Sequence, residues 1–213
     1  MKAALGLAAR GIVRGIVTAP ISKQAWHMAG VPYTDHTEYL GAQTGDEVQM
    51  VLGIPRRRVW CVLATRHVGL AEAVKQLSVS RILHAALGLD RALRRLGLKR
   101  RRLVLCGLNP HAGEEGLLGL EEKRVLIPAA AAARAAGIDL SGPVAADAAW
   151  RLHAVGRYDG VVALYHDQAL IPLKMAGGLG VVNWTMGSLV RTSPGHGTGL
   201  DIAGKGLAEA DAT

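Results

Sequence analysis

An α/β fold is what this sequence predicts, and three observations carry that expectation. Short apolar or β-branched runs alternate with longer stretches whose apolar residues recur at helical spacing. Half of the 213 residues are apolar and one fifth are charged, a globular balance. Polar residues gather just after the strand-like runs, where an open α/β sheet binds its ligands.

In chain order, residues 15–18 read as a strand, followed by a turn at Ala19-Pro20 and a helix from about Ser22. Ahead of it, residues 1–14 mix Lys2, Arg10 and Arg14 with short apolar stretches and are expected to form an amphipathic helix. They offer neither a signal-peptide core nor an apolar span of about 20 residues, so a soluble, cytoplasmic protein without membrane contact is expected. Asp35-His36-Thr37-Glu38 opens a helical stretch that Asp35 or Thr37 would cap. Residues 59–65 form the next strand, and 70–96 hold one or two helices. Residues 103–107 form a strand that ends in Leu108-Asn109-Pro110. An alanine-rich helix over 121–136 stops at Gly137. A strand at 160–165, a helix over 168–175 and a strand at 180–185 complete the series.

The formal charge of +8 raises the question of nucleic acid. Its sources are two clusters, residues 56–58 and 99–102, which read as solvated caps of loops and helix ends. No zinc finger, aromatic RNA-binding motif or helix-turn-helix accompanies them, and aromatics are only 4%. A nucleic-acid partner is therefore not expected; affinity for small anions is an easier use of the charge. Cys61 and Cys106 lie far apart within apolar runs and read as buried, reduced thiols.

His67, His111 and His166 each follow one of these strands. Three imidazoles can hold a divalent cation and leave positions open to substrate oxygens. Their spacing is too long for a local motif, so shared strand-end position carries the reading, against hydrogen-bonded loop histidines as the plain alternative. Asp167 and Asp147 can orient a histidine or accept a proton; Asp147 serves equally as a helix cap. His36 and Thr37, at a helix start, can meet an anion. Lys174, Asn183 and Arg191 add donors suited to phosphate or carboxylate, although Lys174 and Arg191 alone would be ordinary surface cations. The glycine-rich segment with His196, Gly197, Thr198 and Asp201 lets backbone approach a flat adenosine; unaided, it reads as a mobile loop. No G-x-G-x-x-G follows any strand.

Taken together, Thr18-Ala19-Pro20-Ile21-Ser22-Lys23, His36-Thr37-Glu38 and Ala64-Thr65-Arg66-His67 match a known pattern. So do Leu108-Asn109-Pro110-His111-Ala112-Gly113-Glu114, Gly142-Pro143-Val144-Ala145-Ala146-Asp147, Tyr165-His166-Asp167-Gln168, Val182-Asn183, Arg191-Thr192-Ser193 and His196-Gly197-Thr198. In this order, over about residues 15–206, they resemble the 4-hydroxythreonine-4-phosphate dehydrogenase family of pyridoxal phosphate biosynthesis. The resemblance implies an isocitrate/isopropylmalate dehydrogenase-like fold, and NAD- or NADP-linked oxidation with decarboxylation of a small phosphorylated hydroxy acid. It implies His67, His111 and His166 as ligands of a divalent metal shared between the subunits of a homodimer. Zinc, cobalt, nickel and iron suit such ligands, while magnesium usually wants more oxygens. His36, Thr37, Lys174, Asn183 and Arg191 match substrate-binding positions, and residues from His196 match the cofactor loop.

The chain departs from the family in lacking a counterpart to its N-terminal third and in stopping at Thr213. Asp35 stands where glycine is usual, and one residue fewer separates Gly187 from Arg191. Residues 1–213 are thus expected to form a partial unit of that fold. About 15–185 would be a central region with the metal and substrate residues, and about 186–213 the start of the cofactor loop. Related dehydrogenases for threonate or erythronate phosphates, or for a dihydrodiol dicarboxylate, share the motifs. A truncated, silent homologue acting as a binding or dimerisation module is the alternative outside the enzymes.

Overall fold

The structure, a computed structural model, describes every residue except Thr34, Glu47 and Ser188. Ser188 falls in the shortened 187–191 segment, so that departure lies partly outside the described residues. From the N terminus come helix α1 (Lys2–Ala9), strand β1 (Ile16–Val17), helices α2 (Lys23–Met28) and α3 (His36–Thr44), and strand β2 (Gln49–Ile54). Then follow β3 (Val59–Leu63), α4 (Leu70–Gln76), α5 (Val79–Arg95), β4 (Leu103–Cys106), α6 (Ile127–Ala135) and β5 (Leu140–Val144). Helix α7 (Ala146–Ala154), strand β6 (Gly160–Ala163), helix α8 (His166–Gly177), and strands β7 (Val182–Met186) and β8 (Val190–Pro194) complete the chain. Two compact units result, one of residues 1–54 with 177–213, the other of residues 55–176. The expected cofactor-loop segment belongs with the first.

In the second unit the strands run in the order β3-β6-β4-β5, and every pairing is parallel. Parallel strands are covered on both faces and so read as continuous apolar runs, as Val161-Val162-Ala163 and Leu103-Val104-Leu105 do; all six side chains are fully buried. Ser78 caps α5 by accepting the Arg81 N–H. The helix lays Ile82, Ala86, Leu89 and Leu93 into this core. Its one buried carboxylate, Asp90, is held by Arg101 at 2.5 Å and Arg94 at 3.2 Å. Cys61 and Cys106 are buried and free, as expected. Burial pushes both thiols well above their ordinary pKa, and Cys106 pushes Cys61 further.

In the first unit the order is β1-β8-β7-β2. The β1–β8 pairing is parallel, and β8–β7 and β7–β2 are antiparallel. Asp35 caps α3 through the Glu38 N–H, and Gly45 closes it in the left-handed conformation.

Several elements differ from expectation. Strand β5 contains Gly142-Pro143, a turn signal, and buries only Leu140 fully, as an edge strand can. Strand β8 is largely polar, and β2 and α7 were likewise not foreseen. The 121–136 helix opens with a π-type turn, Glu122–Leu126, before α6. Helix α8 begins at His166, so His166 and Asp167 sit in its first turn rather than before it. Helix α1 buries none of its residues and is no amphipathic packing element. Among the described residues, no helix is long and apolar enough to cross a membrane.

Candidate active site

Strands β3, β6 and β4 are parallel, so their carboxyl ends share one edge of the second unit, and two side chains tie the exits together. Thr65 donates from its N–H and its hydroxyl to the Leu164 carbonyl, at 3.1 and 2.7 Å. Gln168, buried, accepts the Leu164 N–H at 2.7 Å and donates to the Gly107 carbonyl at 2.8 Å. These clamps bring the segments after β3 and β6 side by side. The His67 and His166 rings stand 5.5 Å apart, centre to centre. His166 Nδ1 donates to the Asp167 carboxylate at 2.6 Å. In the neutral ring this bond leaves Nε2 as the metal-binding nitrogen, the arrangement a carboxylate imposes on a metal-ligating histidine. The imidazole pair and its carboxylate partner fit a borderline-soft divalent cation such as zinc or cobalt.

His111 does not join this pair. Among the described residues of the one chain, no three His, Cys, Asp or Glu side chains are placed to hold a metal ion. His111 is exposed on an unusual turn: from His111 to Glu115 five successive residues have positive φ, between 44° and 81°. For L-residues the left-handed helical conformation costs roughly 1–2 kcal/mol each, so something must hold the turn. Glu122, almost fully buried, anchors the entry to it, and the Ala112 and Leu118 N–H groups bond within it to the Asn109 and Gly113 carbonyls. The Glu122 carboxylate accepts the N–H groups of Leu108 and Asn109 at 2.9 and 2.8 Å and the Asn109 amide at 2.8 Å. Gly113 lies so close that a Cβ there would sit 2.7 Å from the Glu122 carboxylate. Downstream, Leu117, Leu118 and Leu120 are exposed.

Asp147 is exposed in the first turn of α7, but Ala145 holds the capping position, so the reading of Asp147 as a helix cap is overturned. Lys174 is exposed on α8, and Thr198 and Asp201 are exposed near the C terminus. His196 Nδ1 meets the Gly197 carbonyl at 2.9 Å.

The first unit holds a separate cluster. Register places Arg191 on β8 beside Ile16 of β1 and opposite Thr185 of β7. The guanidinium is 3% exposed. Its Nε and Nη2 donate to the Thr18 hydroxyl, and Nη2 also donates to His36 Nδ1 at 2.9 Å. Thr37 and Thr185 share a hydrogen bond at 3.0 Å. Neither partner of Arg191 carries negative charge, so burial lowers its pKa to about 10, with Asp35 opposing that shift. Burial, aided by the Arg191 charge, pushes His36 down to about 4. His36 is therefore neutral near pH 7, accepting at Nδ1 and carrying its proton on Nε2. Arg191 is not the surface cation its sequence context suggested. On β7, Asn183 Oδ1 is buried without a hydrogen-bond partner among the described residues. A buried acceptor and a buried cation with neutral hydrogen-bond partners are both costly unless a ligand completes them.

The His36 geometry sets a pH dependence. The unfolded chain takes up this proton near pH 6.5, and the folded protein only near 4, so stability is lost as pH falls through that window and is unaffected above it. The loss expected is about 3 kcal/mol. His153, also lowered by burial, acts with the same sign. Urea denaturation of His36→Asn at several pH values should show a flatter acid limb than wild type; an identical slope would exclude His36 as its source.

Thr18, Glu122, Gln168 and Thr185 were not foreseen as site residues. Thr18 and Gln168 stood inside matching motifs, whereas Glu122 had no local signal. Arg66, beside His67, has a buried Nη1 with no hydrogen-bond partner among the described residues.

The chain matches, over residues 1–213, the family described as pyridoxal phosphate biosynthetic protein PdxA. It is 48% identical to a 4-hydroxythreonine-4-phosphate dehydrogenase of Beijerinckia indica, over 97% of this chain and 61% of that protein. It is 42% identical to a D-threonate 4-phosphate dehydrogenase of Salmonella typhimurium, over 99% of this chain and 64% of that protein. The crystal structure of the Klebsiella pneumoniae 4-hydroxythreonine-4-phosphate dehydrogenase superposes with a TM-score of 0.84 at 43% identity, over 96% of this chain and 62% of that one. An isocitrate dehydrogenase of Methylococcus capsulatus shares the fold, with a TM-score of 0.54 at 15% identity, over 97% of this chain and 66% of that one. The chain spans between 61% and 64% of the length of the two curated relatives named here. Its α/β fold is thus that of the isocitrate dehydrogenase-like enzymes, and the chain belongs to the PdxA family.

Proposed function

We propose that this chain serves the metal-dependent, NAD- or NADP-linked oxidation and decarboxylation of 4-phosphooxy-L-threonine to 3-amino-2-oxopropyl phosphate, a step of pyridoxal 5'-phosphate biosynthesis. The observation that carries the proposal is buried Arg191, whose hydrogen-bond partners Thr18 and His36 are both neutral: a dianionic phosphate or a carboxylate supplies the missing charge. In this reading Arg191 and the Nε2–H of His36 bind the substrate's anionic group with Thr37 and Asn183; Lys174, in the second unit, is proposed separately as a substrate donor. His67 and His166 are two ligands of a divalent cation, zinc or cobalt in preference to magnesium, and His111 is the third, contributed across a homodimer. Exposed Leu117, Leu118 and Leu120 beside the His111 turn are what such a partner would cover.

Asp167 fixes the tautomer of His166, and Asp147 or Asp167 accepts the proton released on oxidation. His196, Gly197, Thr198 and Asp201 lie against the nicotinamide cofactor. When bound, the cation supplies Lewis acidity and the nicotinamide accepts the hydride.

A second substrate, D-threonate 4-phosphate, is favoured by the 42% identity to the Salmonella enzyme, since the same donors suit both phosphates. The test is NAD(P)+ reduction by the purified chain with each phosphate, with and without zinc or cobalt. Metal-dependent reduction with one of them is expected. Saturable metal and phosphate binding without reduction would identify a binding module instead, and no binding of either would overturn the proposal.

A further inference from the structure

The two basic clusters of the sequence, about forty residues apart, meet in the second unit. Arg57, Arg58, Lys99 and Arg100 line one cavity of about 470 Å³, with His153 and Tyr158 also in its wall. This volume lies within the usual range for small-molecule sites, roughly 300–1,000 Å³. The cavity occupies the edge opposite the His67–His166 pair. Arg58 precedes β3, Arg100 precedes β4 and Asp159 precedes β6, so these residues mark the amino ends of the parallel strands. A strand of this length separates the two edges by about 15 Å.

The plain account of such cations is that they satisfy helix C-termini, because α5 and α7 both end here. Backbone already does that work: the N–H groups of Leu96, Gly97 and Leu98 donate to Ala92, Arg94 and Leu93, and those of Val155, Gly156 and Arg157 to Arg151, His153 and Leu152. Past the helices, two other arginines meet the loop carbonyls. Arg101 donates to the carbonyls of Leu98 and Lys99, and Arg102 donates to the Gly156 carbonyl at 2.7 Å. The one acidic residue in the lining, Asp159, is also largely taken. It accepts the Arg102 backbone N–H at 2.8 Å and its Nε at 3.2 Å, and Arg100 reaches it only at 3.9 Å. His153 is committed as well, accepting from the Trp60 N–H and donating to the Tyr158 carbonyl. Among the described residues no ion pair engages Arg57, Arg58 or Lys99. Arg58 is moreover held at φ 54°, a left-handed conformation that arginine seldom adopts. Four cations lining one hollow repel each other, and apart from the long Arg100–Asp159 contact neither helix ends nor carboxylates account for them.

We infer that this cavity is a second anion site, built for a small anion bearing two or more phosphate-sized charges. Four positive charges around one hollow match the charge of a diphosphate or triphosphate group better than that of a single phosphate. An extended nucleic acid would need a basic stripe rather than a hollow.

Pyrophosphate is the probe, titrated calorimetrically into the full chain at about 150 mM salt, where long-range attraction is screened. The anion pocket around Arg191 is a competing site, so the titration is repeated in Arg191→Met. One saturable pyrophosphate is expected to remain there. It should weaken about a hundredfold in Arg57→Gln/Arg58→Asn/Lys99→Gln/Arg100→Gln. All four replaced side chains are exposed, and asparagine tolerates the left-handed position, so the variant should keep the wild-type Tm. Binding that vanishes with Arg191→Met, that survives the fourfold change, or that an unrelated single-stranded oligonucleotide of equal charge outcompetes would each overturn the inference. The first two would return the cations to a solvated surface, and the third would assign them to nucleic acid.

Discussion

Replacing Glu122 by alanine is expected to lower Tm by about 10 °C and to uncouple His111 from the rest of the site. The N–H groups of Leu108 and Asn109 lose their acceptor, while the Asn109 amide retains only Glu121. Leaving such buried donors unmet costs about 1–3 kcal/mol each, or about 3 kcal/mol after partial hydration. In a chain of this size each kcal/mol shifts Tm by about 2–4 °C. The left-handed run from His111 to Glu115 then loses the anchor at its entry and relaxes, since its four non-glycine residues gain by leaving that conformation. Where His111 serves as a ligand, affinity for zinc or cobalt should fall about 10–100-fold, the usual cost of losing a group that orients a ligand. Glu122→Gln keeps one acceptor oxygen and should fall between the two. A Tm within about 3 °C of wild type for Glu122→Ala, with unchanged metal affinity, would show that the turn is held by something else.

The second large effect concerns Arg191. For Arg191→Met, phosphate or substrate affinity should drop about a thousandfold, as two charge-assisted hydrogen bonds are lost at about 1.5–3 kcal/mol each. The ligand-free protein should hardly notice. Removing the guanidinium relieves a burial cost of about 3 kcal/mol, judged from its pKa being lowered to about 10. Against this stand the lost bonds to Thr18 and His36, of similar size. The expected signature is a wild-type Tm without ligand and no thermal stabilisation by phosphate. A structural arginine would show the reverse, a large fall in Tm with phosphate binding intact in the folded fraction. Observing that reverse would remove the central support for the proposed function.

Much of the site was readable along the chain because its residues belong to strand ends. His67 comes four residues after Leu63 and His166 three after Ala163, and the parallel pairing of those two strand residues brings the histidines close. The cap role of Asp35, the helix start near Ser22 and the stop at Gly137 were equally local, since each depends on a few adjacent backbone groups. Strands β5 and β8 were not readable: one carries Gly-Pro and the other is mostly polar, and both are strands because of what they pair with. The burial of Arg191 was also hidden, because a lone arginine among Thr, Ser and Val has no pattern that distinguishes core from surface. Glu122 was missed because its partners lie 13 and 14 residues away, across a turn with no regular period.

Local order therefore settled which residues stand at the carboxyl ends of the strands, and with it the α/β class and most candidate ligands. Three-dimensional packing alone settled their charge states and company. It made Arg191 and His36 a buried pair, left His111 apart from the other two histidines, and joined two remote basic clusters around one cavity. The physical reason is range. Backbone periodicity and capping act over a few residues and are written in the neighbouring letters. Desolvation and charge coupling depend on every group within several ångströms, whatever its place in the chain.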